Sequence, residues 1–179
     1  MSTIETPTFT GTWQVDPVHS TVGFEVAYMA GTFKGEFREI AATLTVDGES
    51  ARLEGSAKVA SVDVKDENLS AHLQSPDFFD AERNPELRFT ADDVDLSSDE
   101  VTARGELTIK GVTRPIVARG TLTEPAVTFG DVEKVGLELE AVVDRTQYGL
   151  NWNAPLPKGG FALADDVKLI VELELAKEA

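Results

Sequence analysis

The stretch "VKLIVELELA", residues 167–176, alternates apolar with polar side chains over most of its length. Two glutamates and a lysine occupy the intervening positions. Successive side chains of a β-strand point to opposite faces, so this pattern predicts a strand with one buried face. The predicted inward residues are Val167, Leu169, Val171, Leu173 and Leu175.

The same period of two recurs along the chain and predicts about nine strands, with almost no helical periodicity. The other eight strands are predicted over residues 9–15, 20–29, 41–46, 52–64, 86–96, 101–110, 112–123 and 135–144. Their inward positions include Val22, Phe24, Val26, Tyr28, Ala42, Leu44, Val46, Val101, Ala103, Leu107, Ile109, Leu137, Leu139, Ala141 and Val143.

Short turn signals separate these strands, at "VDG" (46–48), "SSDE" (97–100) and "KG" (110–111). Sequential strands joined by tight turns give an antiparallel sheet that either forms a sandwich or closes into a barrel. Glycines within the strand patterns favour the barrel, because barrel corners need bulges and tight bends. These are Gly23, Gly55, Gly105, Gly120 and Gly136. We therefore predict one all-β domain over residues 1–179, an extended antiparallel barrel able to hold a small ligand.

Composition excludes several classes of function. The net charge is −16, from 32 acidic and 16 basic residues. Such a field repels nucleic acid and anionic membrane surfaces. There are no cysteines, so thiolate chemistry and disulfides are excluded. The start "MSTIETPTFTGTW" lacks the features of a secretory signal, and no apolar run could span a bilayer. We expect a cytoplasmic protein without stable membrane insertion.

The stretch "NLSAHLQSPDFFDAERNP", residues 68–85, interrupts the alternation. A helix is predicted over "KDENLSAHLQ", with Asp66 as its N-cap and Leu69 and Leu73 one turn apart. Pro76 ends this helix, and Asp77 is expected to cap a further turn that carries Phe78 and Phe79. A helical insertion in a barrel must cover an end or a wall.

Catalytic and metal sites have weak signals. His72 with Asp77 or Asp80 has the residue types of a base and its orienting acid, and Ser70 or Ser75 offers a hydroxyl. No G-x-S-x-G motif accompanies them. His19 and His72 share no familiar metal-site spacing with carboxylates. We therefore expect no catalytic residues, no metal and no cofactor.

Phenylalanines give a stronger indication. The segment "GTFKGEF", residues 31–37, is predicted to be a turn that carries Phe33 and Phe37. With Phe78 and Phe79, they place four aromatic rings in irregular segments. This arrangement is typical of an aromatic-rimmed pocket for a hydrophobic ligand.

Four segments together resemble the YceI-like family of lipocalin-like, polyisoprenoid-binding barrel proteins. They are "WQVDPVHSTVGFEV", "HLQSPDFFDAERNPELRF", "GELTIKGVTRPIVARGTL" and "DRTQYGLNWNAPLPKGGFALADDVKLIVELEL", which span Trp13 to Leu175. The resemblance implies an extended barrel whose lumen binds a long-chain isoprenoid, quinone or fatty amphiphile without turnover. A homodimer is compatible with it.

The resemblance also implies functional positions. The family's histidine and paired phenylalanines correspond to His72, Phe78 and Phe79. The early Asp-Pro-x-His-Ser motif falls on Asp16, Pro17, His19 and Ser20, and "LTIKG" places Leu107, Ile109 and Lys110. The predicted ligand-binding residues are Phe24, Val26, Phe33, Phe37, Leu69, His72, Leu73, Phe78, Phe79, Phe89, Leu107, Ile109 and Trp152.

The chain departs from the family pattern near the insertion. Asn84 precedes Pro85 where an aromatic residue is usual, and Gln74 stands where a basic residue is common. A pyrophosphate head group would therefore need positive charge from elsewhere. The candidates are Lys110, Arg114, Arg145 and Lys158. A neutral quinone or fatty amide head group would need less positive charge.

We predict the first of three functions and keep the other two as alternatives. The first is a carrier that sequesters a long apolar chain in the barrel. The second is a hydrolase or isomerase that acts on such a ligand through His72. The third is an interaction protein whose barrel is filled by its own side chains.

Overall fold

The computed structural model describes residues 10–47, 50–97 and 100–178, which form twelve strands and one α-helix. The strands are β1 (Gly11–Val15), β2 (Thr21–Tyr28), β3 (Gly31–Phe37), β4 (Ile40–Asp47), β5 (Ser50–Lys58), β6 (Val62–Asp63), β7 (Glu86–Asp95), β8 (Val101–Ile109), β9 (Val112–Leu122), β10 (Ala126–Val127), β11 (Glu133–Asp144) and β12 (Leu163–Lys177). The helix α1 is Glu67–Gln74, and 3₁₀ turns lie at Pro17–His19, Val59–Ser61, Phe129–Asp131 and Arg145–Tyr148.

Eight of the strands close into an antiparallel barrel. Their order is β11–β9–β8–β7–β5–β4–β1–β12, and pairing of β12 with β11 completes the ring. The prediction of a barrel is confirmed, and the alternative of a sandwich is wrong. The sheet also continues beyond β12 through β2, β3 and β6, so the barrel has an additional wall.

The longest strand, β12, joins the ring to the additional wall. One edge pairs with β11 over eleven residue pairs, from Lys134↔Ala176 to Asp144↔Asp166. The other edge is shared: Val15↔Leu175 belongs to the pairing with β1, and Glu172↔Thr21 to the pairing with β2. At about 3.3 Å per residue, the 15 residues of β12 extend roughly 45 Å. Because β1 has only five residues, it can pair with only part of β12.

The change of partner occurs at Glu174 without loss of backbone hydrogen bonds. Its carbonyl accepts from the Asp16 amide at 2.8 Å, and its own amide donates to Ser20 Oγ at 2.9 Å. The Ser20 hydroxyl in turn donates to the Asp16 carbonyl at 2.7 Å. Because buried backbone groups must be paired, these contacts fix where β1 ends and β2 begins.

Charged side chains reinforce the same crossing. Asp16 Oδ2 lies 2.9 Å from His19 Nδ1 and 3.2 Å from Lys134 Nζ, and Lys134 Nζ lies 3.0 Å from Glu174 Oε1. The hydrogen bonds from His19 and Lys134 lower the pKa of the Asp16 carboxyl from 3.8 to about 2. One ligand atom each from Asp16, His19 and Glu174 lies within 4.8 Å of the others, and the Lys134 ammonium forms an ion pair with each of the two carboxylates.

The alternation predicted from sequence is confirmed in the barrel wall. The inward residues predicted on β4, β8 and β11 are all buried, and those predicted on β12 are buried or face internal cavities. A cluster of buried apolar residues that includes Trp13, Leu44, Leu137 and Leu175 lies at the end of the barrel near β1, which we call the closed end. The opposite end, beside α1, is the insertion end.

Several strand predictions were wrong in detail. Residues 52–64 are not one strand, because a 3₁₀ turn at Val59–Ser61 separates β5 from β6. The segment 31–37 is a strand, not a turn, since it pairs with β2 from Val22↔Phe37 to Tyr28↔Gly31. The expected nine strands become twelve among the described residues, because β3 and β10 were missed and β6 was included in the strand predicted over 52–64.

Of the three predicted turns, the one at Lys110–Gly111 lies wholly within the described residues, and its prediction is confirmed. Lys110 and Gly111 adopt φ of 51° and 75° between β8 and β9, as a tight hairpin turn requires. The turns predicted at 46–48 and 97–100 include positions 48, 98 and 99, which lie outside the described residues, as does position 9 of the first predicted strand.

The seam between β9 and β11 depends on a glycine. Only four pairs, from Leu137↔Leu122 to Glu140↔Arg119, connect these strands. A Cβ added at Gly120 would lie 1.7 Å from the Glu138 carbonyl oxygen, so no other residue fits there without movement of the backbone. The glycine thus permits the close approach that completes the ring.

Replacing Gly120 with alanine should destabilise the barrel by about 3 kcal/mol, because the backbone of β11 must move away. The control is Gly136→Ala, whose added Cβ would meet Thr123 Cγ2 at 3.4 Å. We expect that control to change stability by no more than about 0.5 kcal/mol. Urea unfolding measures both. Equal stabilities of the two variants would contradict the role of Gly120 in closure.

The Asp16 contacts predict a dependence of stability on pH. Its pKa is lower in the folded chain than in the unfolded chain, so its stabilising effect is complete above about pH 4 and is lost as the pH falls toward 2. Asp16→Asn should therefore be less stable than the wild type at neutral pH, with the difference disappearing near pH 2. Thermal unfolding at several pH values measures this, and a pH-independent difference would refute it.

Candidate functional site

Two apolar cavities lie inside the barrel. The inner cavity, nearer the closed end, has a volume of about 130 Å³, and the outer cavity, at the insertion end, has a volume of about 210 Å³. Their linings share Phe37, Leu87, Ile109 and Leu169. The two cavities are therefore adjacent sections of one elongated apolar lumen.

The inner cavity is built mainly by the ring strands, with Val22, Gly23 and Phe37 contributed by β2 and β3. Its apolar lining includes Phe89, Leu107, Ile116, Ala118, Leu139, Ala141, Val171 and Leu173. Charged residues at its edge direct their ends to the surface: Arg88 pairs with Glu86 at 3.1 Å, and Glu140 pairs with Lys168 at 3.5 Å. The inner cavity therefore offers a chain of methylene or isoprene groups an almost wholly apolar surface.

The outer cavity combines the additional wall with the insertion. Strands β2, β3 and β12 form one side, and α1 with the turn after it covers another. Asp66 caps α1 as predicted, since its carboxylate accepts from the amides of Asn68 and Leu69 at 2.8 and 3.0 Å. The helix thereby directs Leu69, His72 and Leu73 to the cavity.

The turn after α1 differs from the predicted second helical turn. Residues 76–79 form a hydrogen-bonded turn, with the Phe78 amide donating to the Ser75 carbonyl at 3.0 Å. Asp77 contacts His72 through its carboxylate, at 3.0 Å between Oδ2 and Nε2. Phe78 and Phe79 nevertheless both line the outer cavity.

All the residues predicted to bind ligand line one of the two cavities. Phe89 and Leu107 line the inner cavity, Phe37 and Ile109 line both, and the others line the outer cavity: Phe24, Val26, Phe33, Leu69, His72, Leu73, Phe78, Phe79 and Trp152. The lumen thus brings together residues that span Phe24 to Trp152 in the sequence. Their contact with a ligand stays a prediction.

Aromatic rings form one corner of the outer cavity. The rings of His72 and Trp152 lie 4.8 Å apart, those of His72 and Phe78 5.0 Å, and those of Phe78 and Trp152 5.3 Å. The three rings pack mostly edge to face, an arrangement that stabilises aromatic pairs. They connect the insertion to the segment that follows Leu150.

The polar groups around His72 make local hydrogen bonds. The Ser70 hydroxyl donates to the Val62 carbonyl at 3.2 Å, and the Ser75 hydroxyl donates to the His72 carbonyl. Asp80 lies 3.9 Å from Arg83. His72 is thus oriented by Asp77, but neither of the two serines considered from the sequence donates to its ring.

Arg145 is the residue whose role the sequence did not reveal. The sequence offers it as a cation for a pyrophosphate head group, but its side chain is buried, with only 4% exposed. Its guanidinium donates to the carbonyls of Leu150, Trp152, Leu163 and Ala164. Burial lowers the pKa of the Arg145 guanidinium, and the nearby Asp165 and Asp144 raise it. Arg145 therefore organises the segment between β11 and β12.

Two of the other candidate cations donate to backbone carbonyls. Lys110 Nζ donates to the Pro76 carbonyl at 2.7 Å, which ties the β8–β9 turn to the insertion. Arg114 Nε donates to the Gln147 carbonyl at 3.3 Å. Lys158 lies on the exposed turn before Phe161.

Some lining residues carried no signal in the sequence. Leu150 and Leu163 lie in or beside the irregular segment that Arg145 organises, where no periodicity marks an inward position. Tyr148 is nearly fully buried, and its hydroxyl has no hydrogen-bond partner within the described part of the chain. Val143, Val167 and Leu169, by contrast, follow directly from the alternation.

Across the described ranges, no helix is both long and apolar enough to cross a membrane. The cytoplasmic location stays a prediction.

Comparisons with known proteins agree with this architecture. Residues 13–175 match the YceI-like domain. A UPF0312 protein of Staphylococcus epidermidis is 28% identical over 169 residues, which cover 90% of this chain and 95% of that protein. Many further curated proteins match as well.

Solved structures show the same fold. BcnA of Burkholderia cenocepacia superposes with a TM-score of 0.76 at 21% identity, covering 89% of this chain and 98% of that one. A domain from Saccharophagus degradans, described as a polyisoprenoid binding domain implicated in plant cell wall breakdown, gives 0.70 at 12% identity and covers 94% and 99%. With its sequence match from the first barrel strand to the last, this chain belongs to the YceI-like family.

Proposed function

We propose that this protein binds one long-chain isoprenoid or related amphiphile in the barrel lumen and carries or stores it without turnover. The observation that supports this most strongly is the pair of adjacent apolar cavities, which together offer an elongated space inside a closed wall. The chain would lie along the lumen with its tail toward Trp13 and its head near the outer cavity.

The energetics favour such binding. Transfer of apolar groups from water contributes about 0.8 kcal/mol for each methylene. A chain of roughly 20 such units gains more than enough to offset the loss of motion on binding. The description of the Saccharophagus degradans domain as polyisoprenoid binding supports the same class of ligand.

The polar groups of the outer cavity favour an uncharged head group. They are the Tyr28 hydroxyl, the His72 imidazole, the Trp152 indole and the Arg145 guanidinium. Arg145 donates four hydrogen bonds to backbone carbonyls, of the five N–H groups that an arginine has. A pyrophosphate would therefore find few available donors, and it would enter against a net charge of −16.

The two alternatives have less support. A hydrolase or isomerase would use His72, but the Ser70 and Ser75 hydroxyls are directed to backbone carbonyls. A filled barrel would leave no internal space at the insertion end, whereas the outer cavity has about 210 Å³.

Filling the inner cavity should make binding depend on chain length. Ala141→Phe places a ring in that cavity, so we expect affinity for solanesol, with nine isoprene units, to fall by about tenfold or more. Affinity for farnesol, with three units, should change by no more than about threefold, because we place so short a chain in the outer cavity, whose lining does not include Ala141. Competition with a fluorescent isoprenoid measures both.

The matched control for this experiment is Val142→Phe. Val142 is adjacent in sequence but points outward, because neighbouring residues of a strand face opposite sides. Circular dichroism confirms that each variant is folded, and Ala141→Leu provides a milder substitution. The placement of the chain would be contradicted if a folded Ala141 variant lost affinity for solanesol and farnesol equally, or kept its affinity for both.

Head-group preference can be tested at constant chain length. We expect farnesol to bind at least about tenfold more tightly than farnesyl pyrophosphate at low ionic strength. Added salt should reduce the difference, because it screens the repulsion between the pyrophosphate and the acidic protein. Tighter binding of the pyrophosphate would show that the head-group assignment is wrong.

A further inference from the structure

An exposed apolar surface borders the outer cavity, and we call it the rim. It consists of Tyr28, Met29 and Phe161, with Pro155 and Pro157 beside them. Tyr28 lines the outer cavity and is 38% exposed, while Met29 and Phe161 are 62% and 67% exposed. Large apolar side chains grouped at the mouth of a cavity indicate a contact surface.

Backbone contacts hold the rim together. Tyr28 pairs with Leu163, and the Met29 amide donates to the Ala162 carbonyl at 2.8 Å. A β-bridge joins Pro155 to Phe161. The tip of the β2–β3 hairpin and the segment before β12 therefore present one continuous surface.

The rim is free of acidic residues in a chain rich in them. No Asp or Glu occurs in residues 28–35 or 151–164, although the chain has 32 acids in 179 residues. The two charged residues in these segments are Lys34, which lies 3.5 Å from Glu25, and Lys158. Asp165 follows the second segment, and its carboxylate lies 3.8 Å from the Arg145 guanidinium.

This composition fits a lipid surface. Carboxylates are unfavourable near the hydrocarbon of a bilayer, whereas aromatic side chains, long apolar side chains and lysines are typical of protein segments at the membrane interface. The overall charge of −16 disfavours an anionic surface, so the fit is to a zwitterionic one.

The proposed ligand supplies the reason for such a contact. A long isoprenoid leaves a membrane for water only slowly, since each methylene exposed to water costs about 0.8 kcal/mol. Direct contact between the bilayer and the mouth of the outer cavity would avoid that exposure. We propose that the rim docks on a zwitterionic bilayer surface and that the ligand passes through it into the outer cavity. This inference rests on the proposed function.

Stopped-flow transfer of a fluorescent polyprenol from phosphatidylcholine vesicles to the protein tests the proposal. The initial rate should rise with vesicle concentration, as collision requires. The variant Met29→Asn with Phe161→Asn should slow transfer by about tenfold, because it removes two apolar contacts with the bilayer. Its equilibrium affinity for the same polyprenol, added from ethanol, should equal that of the wild type, because neither residue lines a cavity.

The matched control is Val127→Asn with Phe129→Asn. These residues are also exposed, but they lie beside the start of β11, at the closed end. Transfer to this control should proceed at the wild-type rate. Equal slowing of both variants, slowing of neither, or a rate independent of vesicle concentration would overturn the proposal.

Two further measurements distinguish a lipid contact at the rim from self-association and from failure of the proposed function. The first is sedimentation. If it shows a wild-type dimer that the rim variant does not form, and transfer is unchanged in that variant, the rim binds a second copy of the chain and the lipid contact is overturned.

The second measurement applies if the wild type binds no polyprenol from any source, in which case the proposed function fails. Flotation of the unliganded protein with phosphatidylcholine vesicles then tests the rim alone: rim-dependent flotation supports the lipid contact, and no flotation overturns it.

Discussion

The architecture depends on one constraint, which is that β12 must satisfy both of its edges over 15 residues. One edge has a single partner, β11, but the other is divided between β1 and β2 at Glu174. The Asp16 amide and the Ser20 hydroxyl complete the hydrogen bonds of Glu174 at that point. The part of β12 that precedes Glu174 pairs with β2 instead of β1. This pairing adds the additional wall to the barrel, and the wall forms one side of the outer cavity.

The lumen follows from this division. At the closed end, Trp13 and Leu175 are buried in a cluster of apolar side chains and line neither cavity, whereas the outer cavity lies between the additional wall and the insertion. Helix α1 and the turn that carries Phe78 and Phe79 cover this cavity with apolar side chains. The polar residues nearby mostly stabilise this cover, since Lys110 holds the Pro76 carbonyl and Arg145 holds the segment before β12. Two of the cations that a charged ligand would need, Lys110 and Arg145, therefore hold the structure at the insertion end.

Much of this arrangement could be predicted from the sequence, because alternation directly reports which face of a strand is buried. Val26, Ile109 and Leu169 were placed inward for that reason, and they line the cavities. Local patterns failed where long-range contacts decide: two glycines and a lysine made β3 resemble a turn, yet pairing with β2 makes it a strand. The role of Arg145 could not be predicted, because two of its carbonyl partners, Leu163 and Ala164, are 18 and 19 residues away in the sequence. The single domain over residues 1–179 stays a prediction, as does the compatibility of the family resemblance with a homodimer.

The central claim is that the lumen holds an apolar chain, and native mass spectrometry of the purified protein tests it most directly. The account predicts a stoichiometric adduct, either as purified or after incubation with polyprenols and quinones. Organic extraction should then release a molecule with a long apolar tail and an uncharged head. A bare polypeptide mass under every one of these conditions would contradict the account.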